Sequence, residues 1–339
     1  MSVVTAIIGT AERVPLPDVV MRAAIQRLCS RTATRLSMLG AADDAAFAGR
    51  MMLRPVAGEA DAAYREAPAT FFAQVLGPNL KYSCCFYKTA ATTLQEAEEE
   101  ALRQSVEHAG IADGQTILEL GCGWGSLSLW MARQFPHAKI TAVSNSQAQR
   151  AYVEDMARQR GLSNLRVIAA DMNMFAPDGR FDRIVSIEMF EQMLNWRKLL
   201  TRVRAWLAPE GRFFMHVVTH RCGSHLCDRS DREDWIAQHI FAEGLMPSHH
   251  LIRQFDDIFA IEKEWCWSGT HYQRTASDWL ANFDAHRNTI EAALRNVHGE
   301  ETAQWMRRWR WFLLATSGLF GYADGTEWGV SRYRMKAAE

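Results

Sequence analysis

Residues 117–125 read Ile117-Leu118-Glu119-Leu120-Gly121-Cys122-Gly123-Trp124-Gly125, and the helical pattern Ser126-Leu127-Ser128-Leu129-Trp130-Met131-Ala132 follows. An apolar strand runs into three glycines at alternate positions and then into a helix. Glycine permits a sharp turn and leaves no Cβ between the backbone and an approaching ligand. The helix N-terminus adds unpaired N–H groups and the positive end of its dipole. In this order, strand, glycine turn and helix form the nucleotide-binding corner of a doubly wound sheet.

The spacing narrows the ligand. Gly-x-Gly-x-Gly is not the Gly-x-Gly-x-x-Gly that supports a pyrophosphate. Together with Glu119, it points to S-adenosylmethionine, which carries no phosphate, and away from a nicotinamide dinucleotide.

Working outward, strand and helix patterns alternate. Residues 139–144 read as a second strand, 165–171 as a third, 181–188 as a fourth and 212–218 as a fifth. Helices are expected over 94–109, 147–161 and 196–207, with a turn at Pro209-Glu210-Gly211. Continuous apolar strands between helices imply a parallel sheet buried on both faces. Upstream, residues 17–50 carry a helical apolar period and 58–61 a loop. Beyond His220 the alternation gives way to helical segments rich in Trp, His and Arg, with added edge strands at 258–265 and 328–336.

Composition excludes several classes. The 339 residues are 48% hydrophobic and 23% charged, as in ordinary globular proteins. A formal net charge of −1 gives no electrostatic reason to expect nucleic acid. No apolar run approaches the roughly 20 residues needed to span a bilayer, so no stable membrane insertion is expected. The opening Val3-Val4-Thr5-Ala6-Ile7-Ile8 is too short for a secretory signal. Seven cysteines, an odd number scattered along the chain, argue for free thiols and the cytoplasm. His220, Cys222, His225 and Cys227 lack zinc-site spacing, so no metal is expected. Seven of the 12 tryptophans lie from Trp265 onward, suited to a core or to a pocket for a flat or cationic substrate.

Ligands of open α/β sheets sit outside the carboxyl ends of the strands. The second strand ends in Ser144-Asn145-Ser146-Gln147, where amides and hydroxyls stand in for the usual ribose-binding carboxylate. The third ends in Asp171-Met172, suited to an adenine amino group and face, or alternatively to capping a turn. The fourth ends in Glu188-Met189-Phe190-Glu191-Gln192-Met193, two carboxylates three residues apart that a helical turn brings together. Glu188 directly follows an apolar strand, where a carboxylate is costly without a partner.

These residues belong to longer motifs. Tyr64-Arg65-Glu66-Ala67-Pro68-Ala69-Thr70-Phe71-Phe72, Leu80-Lys81-Tyr82-Ser83-Cys84-Cys85-Phe86 and Gly121-Cys122-Gly123-Trp124-Gly125-Ser126-Leu127-Ser128 come first. Ser186-Ile187-Glu188-Met189-Phe190-Glu191, Glu233-Asp234-Trp235-Ile236, Ser268-Gly269-Thr270-His271-Tyr272 and Leu319-Phe320-Gly321-Tyr322 follow. In them the chain resembles the coclaurine N-methyltransferase branch of the cyclopropane fatty acid synthase superfamily. The resemblance implies a Rossmann-like class I methyltransferase fold over 91–339, a helical N-terminal extension over 1–90 that closes on the cofactor, and a helical substrate cap over 220–325.

It also implies roles. Tyr82 and Ser83 would close over the methionine end of the cofactor. Gly121, Gly123 and Gly125 would line it with Glu119, Asn145 and Gln149 would flank the ribose, and Asp171 and Met172 the adenine. In the cyclopropane branch a cysteine, a glutamate, a histidine and a tyrosine hold a bicarbonate base, matched here by Cys84, Glu191, His216 and Tyr272. In the alkaloid branch a glutamate and a histidine four residues apart serve catalysis. The glutamate matches Glu188, but Gln192 replaces the histidine, and glutamine cannot hold a proton near neutral pH.

The missing base matters. An alkylamine with pKa near 10 is almost wholly protonated at neutral pH, and freeing it costs roughly 4 kcal/mol. Glu188 is therefore expected to orient the amine while Glu191, through water or bicarbonate, accepts the proton. N-methylation of a small aromatic amine is the leading expectation. C-methylation or cyclopropanation of an unsaturated fatty acyl lipid is the alternative, and a binding protein without catalysis a third. A homodimer is left open.

Overall fold

The structure, a computed structural model, describes residues 14, 16–57, 67–227 and 244–339. The opening apolar stretch, the loop at 58–61, Tyr64-Arg65-Glu66 and Glu233-Asp234-Trp235-Ile236 lie outside them. The described elements begin with α1 (Asp18–Leu36), α2 (Ala41–Met51), α3 (Ala69–Val75) and α4 (Leu94–Ala109). Then come β1 (Thr116–Leu120), α5 (Ser126–Gln134), β2 (Lys139–Ser144), α6 (Gln147–Gln159), β3 (Leu165–Ala169), β4 (Phe181–Ile187), α7 (Trp196–Trp206) and β5 (Leu207–His220). The last part carries β6 (His225–Leu226), β7 (Leu245–Met246), β8 (Phe259–Trp267), α8 (Gly269–Ala285), α9 (Arg287–His298), α10 (Thr302–Phe320) and β9 (Trp328–Ala337).

The main sheet has seven strands in the order β3-β2-β1-β4-β5-β9-β8. The first five run parallel, with Leu118 opposite both Thr141 of β2 and Ile184 of β4. β9 lies antiparallel between β5 and β8. Four of the apolar strands read from the sequence, β1, β2, β4 and β5, form the buried centre: Ile117, Leu118, Leu120, Val143, Ile184, Val185, Phe213 and Phe214 are all closed off from solvent, while β3, at the edge, is only half-buried. Each such side chain contributes about 1.5–3 kcal/mol on burial. The chain order leaves a topological switch between β1 and β4, where ligands of this architecture bind.

Local signals set several boundaries. α4 starts at Thr93, whose hydroxyl accepts the Glu96 N–H while Glu96 accepts the Thr93 N–H, a reciprocal cap. It ends at Gly110, in the left-handed conformation with φ 66°. The helical pattern over 17–50 is two helices, because the Asp43 carboxylate accepts the Gly40 N–H and starts α2 anew. The turn expected at 209–211 falls inside β5, where the β4–β5 register shifts.

The interval read as a helical cap is mixed. Its described part holds β6, β7, the 3-10 helix Leu251–Phe255 and the sheet strand β8 before its first described α-helix begins at Gly269. From there α8, α9 and α10 pack with α1, α3 and the late tryptophans; Trp279 and Trp309 are fully buried. Arg310 of α10 donates to Asp18 of α1 and to Asp284 of α8, tying the N-terminal helix to this layer. Among the described residues no helix is long and apolar enough to cross a membrane.

Two glycines predict opposite outcomes. A Cβ on Gly269 would collide with the carbonyl oxygens of Trp328 and Phe320, both backbone atoms. Gly269→Ala should therefore destabilise the protein by about 2 kcal/mol or more. Gly49, exposed in α2 with nothing within 4 Å, should accept alanine with a gain of roughly 0.5–1 kcal/mol. Urea denaturation of the two variants checks both signs.

Candidate functional site

The site forms where β1 and β4 part. Gly121 has φ 79°, and a Cβ there would lie 2.9 Å from Met189 Cβ, so glycine lets the β4 continuation pass close by. The Gly121 and Cys122 N–H groups both donate to Val143 O at 2.9 Å, fixing the turn to the end of β2. Gly125 opens α5 and Gly123 borders open space. Trp124 packs on Phe72 and Tyr152, with ring centroids 5.2 and 5.4 Å away.

Glu119, expected beside the cofactor, is the penultimate residue of β1, just before the glycine turn. Its side chain is buried and accepts a hydrogen bond from Ser128 of α5. Burial pushes its carboxyl up to about 7, against the Ser128 hydrogen bond. It braces the glycine turn from behind.

At the end of β2, Ser144 Oγ donates to Gln149 Oε1 at 2.6 Å, while Asn145 is exposed beside them. Gln149 thus spends its amide oxygen on the strand end. At the end of β3, Asp171 Oδ1 accepts the Asn173 N–H at 2.8 Å, the turn-capping alternative, and Met172 is buried behind it. Asp171 itself stays exposed.

Residues 77–87 form a strap across these strand ends. Two buried groups that the sequence reading missed hold it. Glu98 of α4 accepts the Asn79 N–H at 2.9 Å and the Lys81 N–H at 3.3 Å. Lys81 Nζ donates to Ser83 Oγ and to Cys84 O, each at 2.6 Å. A buried lysine amid aromatics was the available signal, since such a charge requires partners. Ser83 therefore serves its own strap through Lys81. Tyr82, 37% exposed, packs tilted against Phe72 and Trp279, with ring centroids 5.1 and 5.5 Å away.

The strap delivers Cys84 to the end of β4, where Glu188 gathers the centre. Glu188 Oε1 accepts the Cys84 N–H at 2.8 Å and lies 3.2 Å from His216 Nε2. Glu188 Oε2 accepts the Tyr272 hydroxyl at 2.8 Å. Register explains the histidine: Ile187 pairs with His216 across β4 and β5, and the Glu188 N–H donates to His216 O. Glu188 also holds φ 47°, a left-handed conformation that side chains other than glycine adopt only at a cost of about 1–2 kcal/mol. Of the catalytic set expected from the sequence, Cys84, Glu188, His216 and Tyr272 meet directly.

Their charge states follow from environment. Burial pushes Glu188 up, but the His216 hydrogen bond, the Lys81 charge and the Cys84 N–H outweigh it and hold the carboxyl below its usual range. Burial pushes His216 down to about 4, so the neutral ring donates from Nε2, and its buried Nδ1 has no partner. Burial raises the Tyr272 hydroxyl and the Cys84 thiol well above their ordinary values, keeping both neutral.

Glu191 stands apart, in the 3-10 turn Phe190–Gln192. Its Oε1 accepts the Val218 N–H at 2.6 Å, and its buried Oε2 has no partner. Burial, then the Glu188 charge, push it up to about 8. Two carboxyls one turn apart are thus split, one ionised and one holding its proton. Elsewhere, His220 Nδ1 accepts the Cys222 and Gly223 N–H groups, which makes it a turn brace beside the cysteines.

With this geometry in view, comparison with known proteins is decisive. The family described as mycolic acid cyclopropane synthetase matches residues 57–324. The chain belongs to that family of S-adenosylmethionine-dependent methyltransferases. Within it, the chain is 35% identical to the (S)-coclaurine N-methyltransferase of Thalictrum flavum subsp. glaucum, over 80% of its own length and 76% of that enzyme's. A crystal structure of coclaurine N-methyltransferase bound to N-methylheliamine and SAH superposes with TM-score 0.92 and 31% identity, covering 99% of this chain and 100% of that one. The Escherichia coli K12 cyclopropane-fatty-acyl-phospholipid synthase is 28% identical over 76% of this chain and 63% of that enzyme.

Family membership raises the question of bicarbonate. The Cys84 N–H, His216 Nε2 and the Tyr272 hydroxyl all end on Glu188, and the fourth expected ligand, Glu191, turns to Val218. These residues do not fit a separate bicarbonate beside Glu188.

The weakened acidity of Glu191 makes this methyltransferase's stability depend on pH. The native state keeps a proton that the unfolded chain releases above its ordinary value of 4.5. Stability should therefore fall as pH rises from about 4.5 towards 8. Glu119, at about 7, contributes with the same sign. Glu191→Gln removes the larger part, so urea titrations should show the variant gaining on the parent between pH 5.5 and pH 8.

Proposed function

We propose that the chain transfers the methyl group of S-adenosylmethionine to the nitrogen of a small aromatic amine. The observation that carries this reading is the ionised Glu188 carboxylate in its ring of neutral donors. A carboxylate offers about four acceptor positions, and three are used here. The fourth is free for a nitrogen that gains positive charge. Aromatic faces stand close by: Trp279 lies 5.5 Å from Tyr82 and 6.1 Å from Tyr272. They suit a flat cation, which is attracted to the negative face of a ring. The names of the relatives support an amine acceptor.

In the reaction, the nitrogen lone pair attacks the sulfonium methyl in line. A C–N bond forms as the S–CH3 bond breaks, the electron pair returns to sulfur, and the positive charge passes to nitrogen. Glu188, held ionised, orients the amine and stabilises that charge as it develops. It is too acidic to be a good base. Glu191, raised to about 8, holds its proton at neutral pH and becomes able to accept one as pH rises through that value. His216 and Tyr272 fix the Glu188 carboxylate, and the Cys84 backbone completes its cradle.

The donor would sit on the turn of Gly121, Gly123 and Gly125. Tyr82 and Ser83 would close over its methionine end, Asn145 and Gln149 would flank the ribose, and Asp171 and Met172 the adenine. Residues 1–90 act as an extension closing on the donor, and 220–325 as a cap shaping the acceptor pocket on the 91–339 domain. A reducing cytoplasm suits the chain, whose Cys84, Cys85 and Cys122 thiols are buried and free.

The test offers labelled S-adenosylmethionine with panels of amines and of unsaturated phospholipids, and identifies the product by mass spectrometry. A labelled aromatic amine is expected; labelled phospholipid alone overturns the reading in favour of carbon alkylation. Glu188→Gln should lower kcat about 100-fold or more, while donor affinity by calorimetry stays within a few-fold. Glu191→Gln should flatten the rise of kcat through pH 8.

A further inference from the structure

We infer that the end of the sheet remote from Glu188 carries a second binding site, where three arginines take the phosphoryl or pyrophosphoryl group of a small soluble metabolite. The site is a cavity of about 260 Å3 walled by Ala109, Arg183, Glu210, Arg212, Glu262 and Arg334. Arg183 of β4 stands directly opposite Arg212 in the β4–β5 register. Arg334 of β9 pairs with Phe214, two residues along β5 from Arg212 and so on the same face. Like charges directly opposite one another on neighbouring strands are destabilising. A Cβ on Gly110 would lie 3.5 Å from Arg334 Nη1 and 3.6 Å from Arg183 Nε, so both guanidiniums close on one point. Burial, then the Arg212 charge with Arg334 adding to it, hold Arg183 below its usual range against Asp182 and Glu262.

The protein answers this crowding only in part. Glu262, at the register shift between β8 and β9, accepts Arg212 Nε at 2.8 Å and lies 3.4 Å from Arg334 Nε. Arg212 Nη1 donates to the Glu210 and Gly211 carbonyls, and Arg183 spends Nε and Nη1 on the Gly110 and Asp182 carbonyls. Arg183 Nη2 and Arg212 Nη2 keep their donors, and the buried Arg334 Nε has no hydrogen bond among the described residues. Three positive charges thus face Glu262 and the exposed Glu210, an excess that a doubly charged anion removes. Guanidinium forks match the paired oxygens of a phosphoryl group. No aromatic ring walls the cavity, so the group is recognised by its charge and not through an attached base. The Arg212 and Arg334 side chains keep 23% exposure, which leaves the cavity open to solvent. Arg212 precedes His216 by four residues on β5, roughly 13 Å along a strand, so the site is separate from the reaction centre.

The inference does not depend on the proposed amine reaction. Its test is calorimetry of the full-length protein with pyrophosphate at constant ionic strength, with S-adenosylhomocysteine added to keep the donor site occupied. The parent should bind saturably at one site. Arg334→Gln should weaken that binding about tenfold or more. Glu262→Gln removes the competing carboxylate and leaves every arginine in place, so it should tighten binding about threefold or more. These opposite signs separate a built site from general attraction to charge, and the second variant carries the test even where the first folds poorly. Phosphatidylcholine vesicles with added phosphatidic acid check the source of the group, and the parent should not sediment with them. A parent without saturable pyrophosphate heat overturns the inference, as does binding that Glu262→Gln leaves unchanged. Capture on the vesicles without binding of pyrophosphate overturns it too, in favour of a lipid headgroup.

Discussion

One ionised carboxylate, its side chain only 11% exposed, sets the terms for everything built around it. A charge withdrawn this far from water costs several kcal/mol unless hydrogen bonds replace its hydration. Here the replacements are drawn from parts of the chain 28, 84 and 104 residues away. Strap, sheet and cap helix must all be in position before the carboxylate is satisfied. The site is therefore a joint between layers, and its geometry is as rigid as the layers that meet there.

That demand propagates outward. The strap can present the Cys84 N–H only because Glu98 and Lys81 fix its shape, and both are themselves buried charges with assigned partners. Tyr272 is held by stacking on Phe320, with ring centroids 4.3 Å apart, so α10 steadies α8. On the far side of His216, Trp267 meets its ring edge to face at 5.3 Å, while the buried Arg332 guanidinium lies 4.1 Å over the same indole. A cation so placed favours a neutral His216, which agrees with the direction of its shift. Aromatic packing, in this protein, serves electrostatics.

Much of this was legible in the sequence wherever the signal is local. The strand, glycine turn and helix at 117–132 and the bounds of α4 and β2 follow from period and caps; of the two added strands expected at the edge, β8 is there, while β9 lies inside it, paired on both sides. The acidic pair ending β4 announced itself because a carboxylate after an apolar strand needs an explanation. What stayed hidden depends on contacts distant in the chain. Nothing near Lys81 or Glu98 in sequence shows that they grip one strap. That Glu188 is the shared acceptor is visible only once the Cys84 N–H, His216 and Tyr272 are seen to converge on it. Asp171 showed the opposite tendency, since the bland turn-cap reading proved part of its structure.

The position of β9 carries a consequence for how such a chain is made. It follows both of its partners in sequence, yet it fills the gap between β5 and β8. During synthesis the ribosome releases β5 and β8 with unpaired backbone edges that have no neighbour until β9 emerges. Open edges recruit strands from other chains, so the nascent protein passes through an interval of exposure to misassembly. Shielding by a chaperone, or fast docking of the closing strand, decides how much of it reaches maturity.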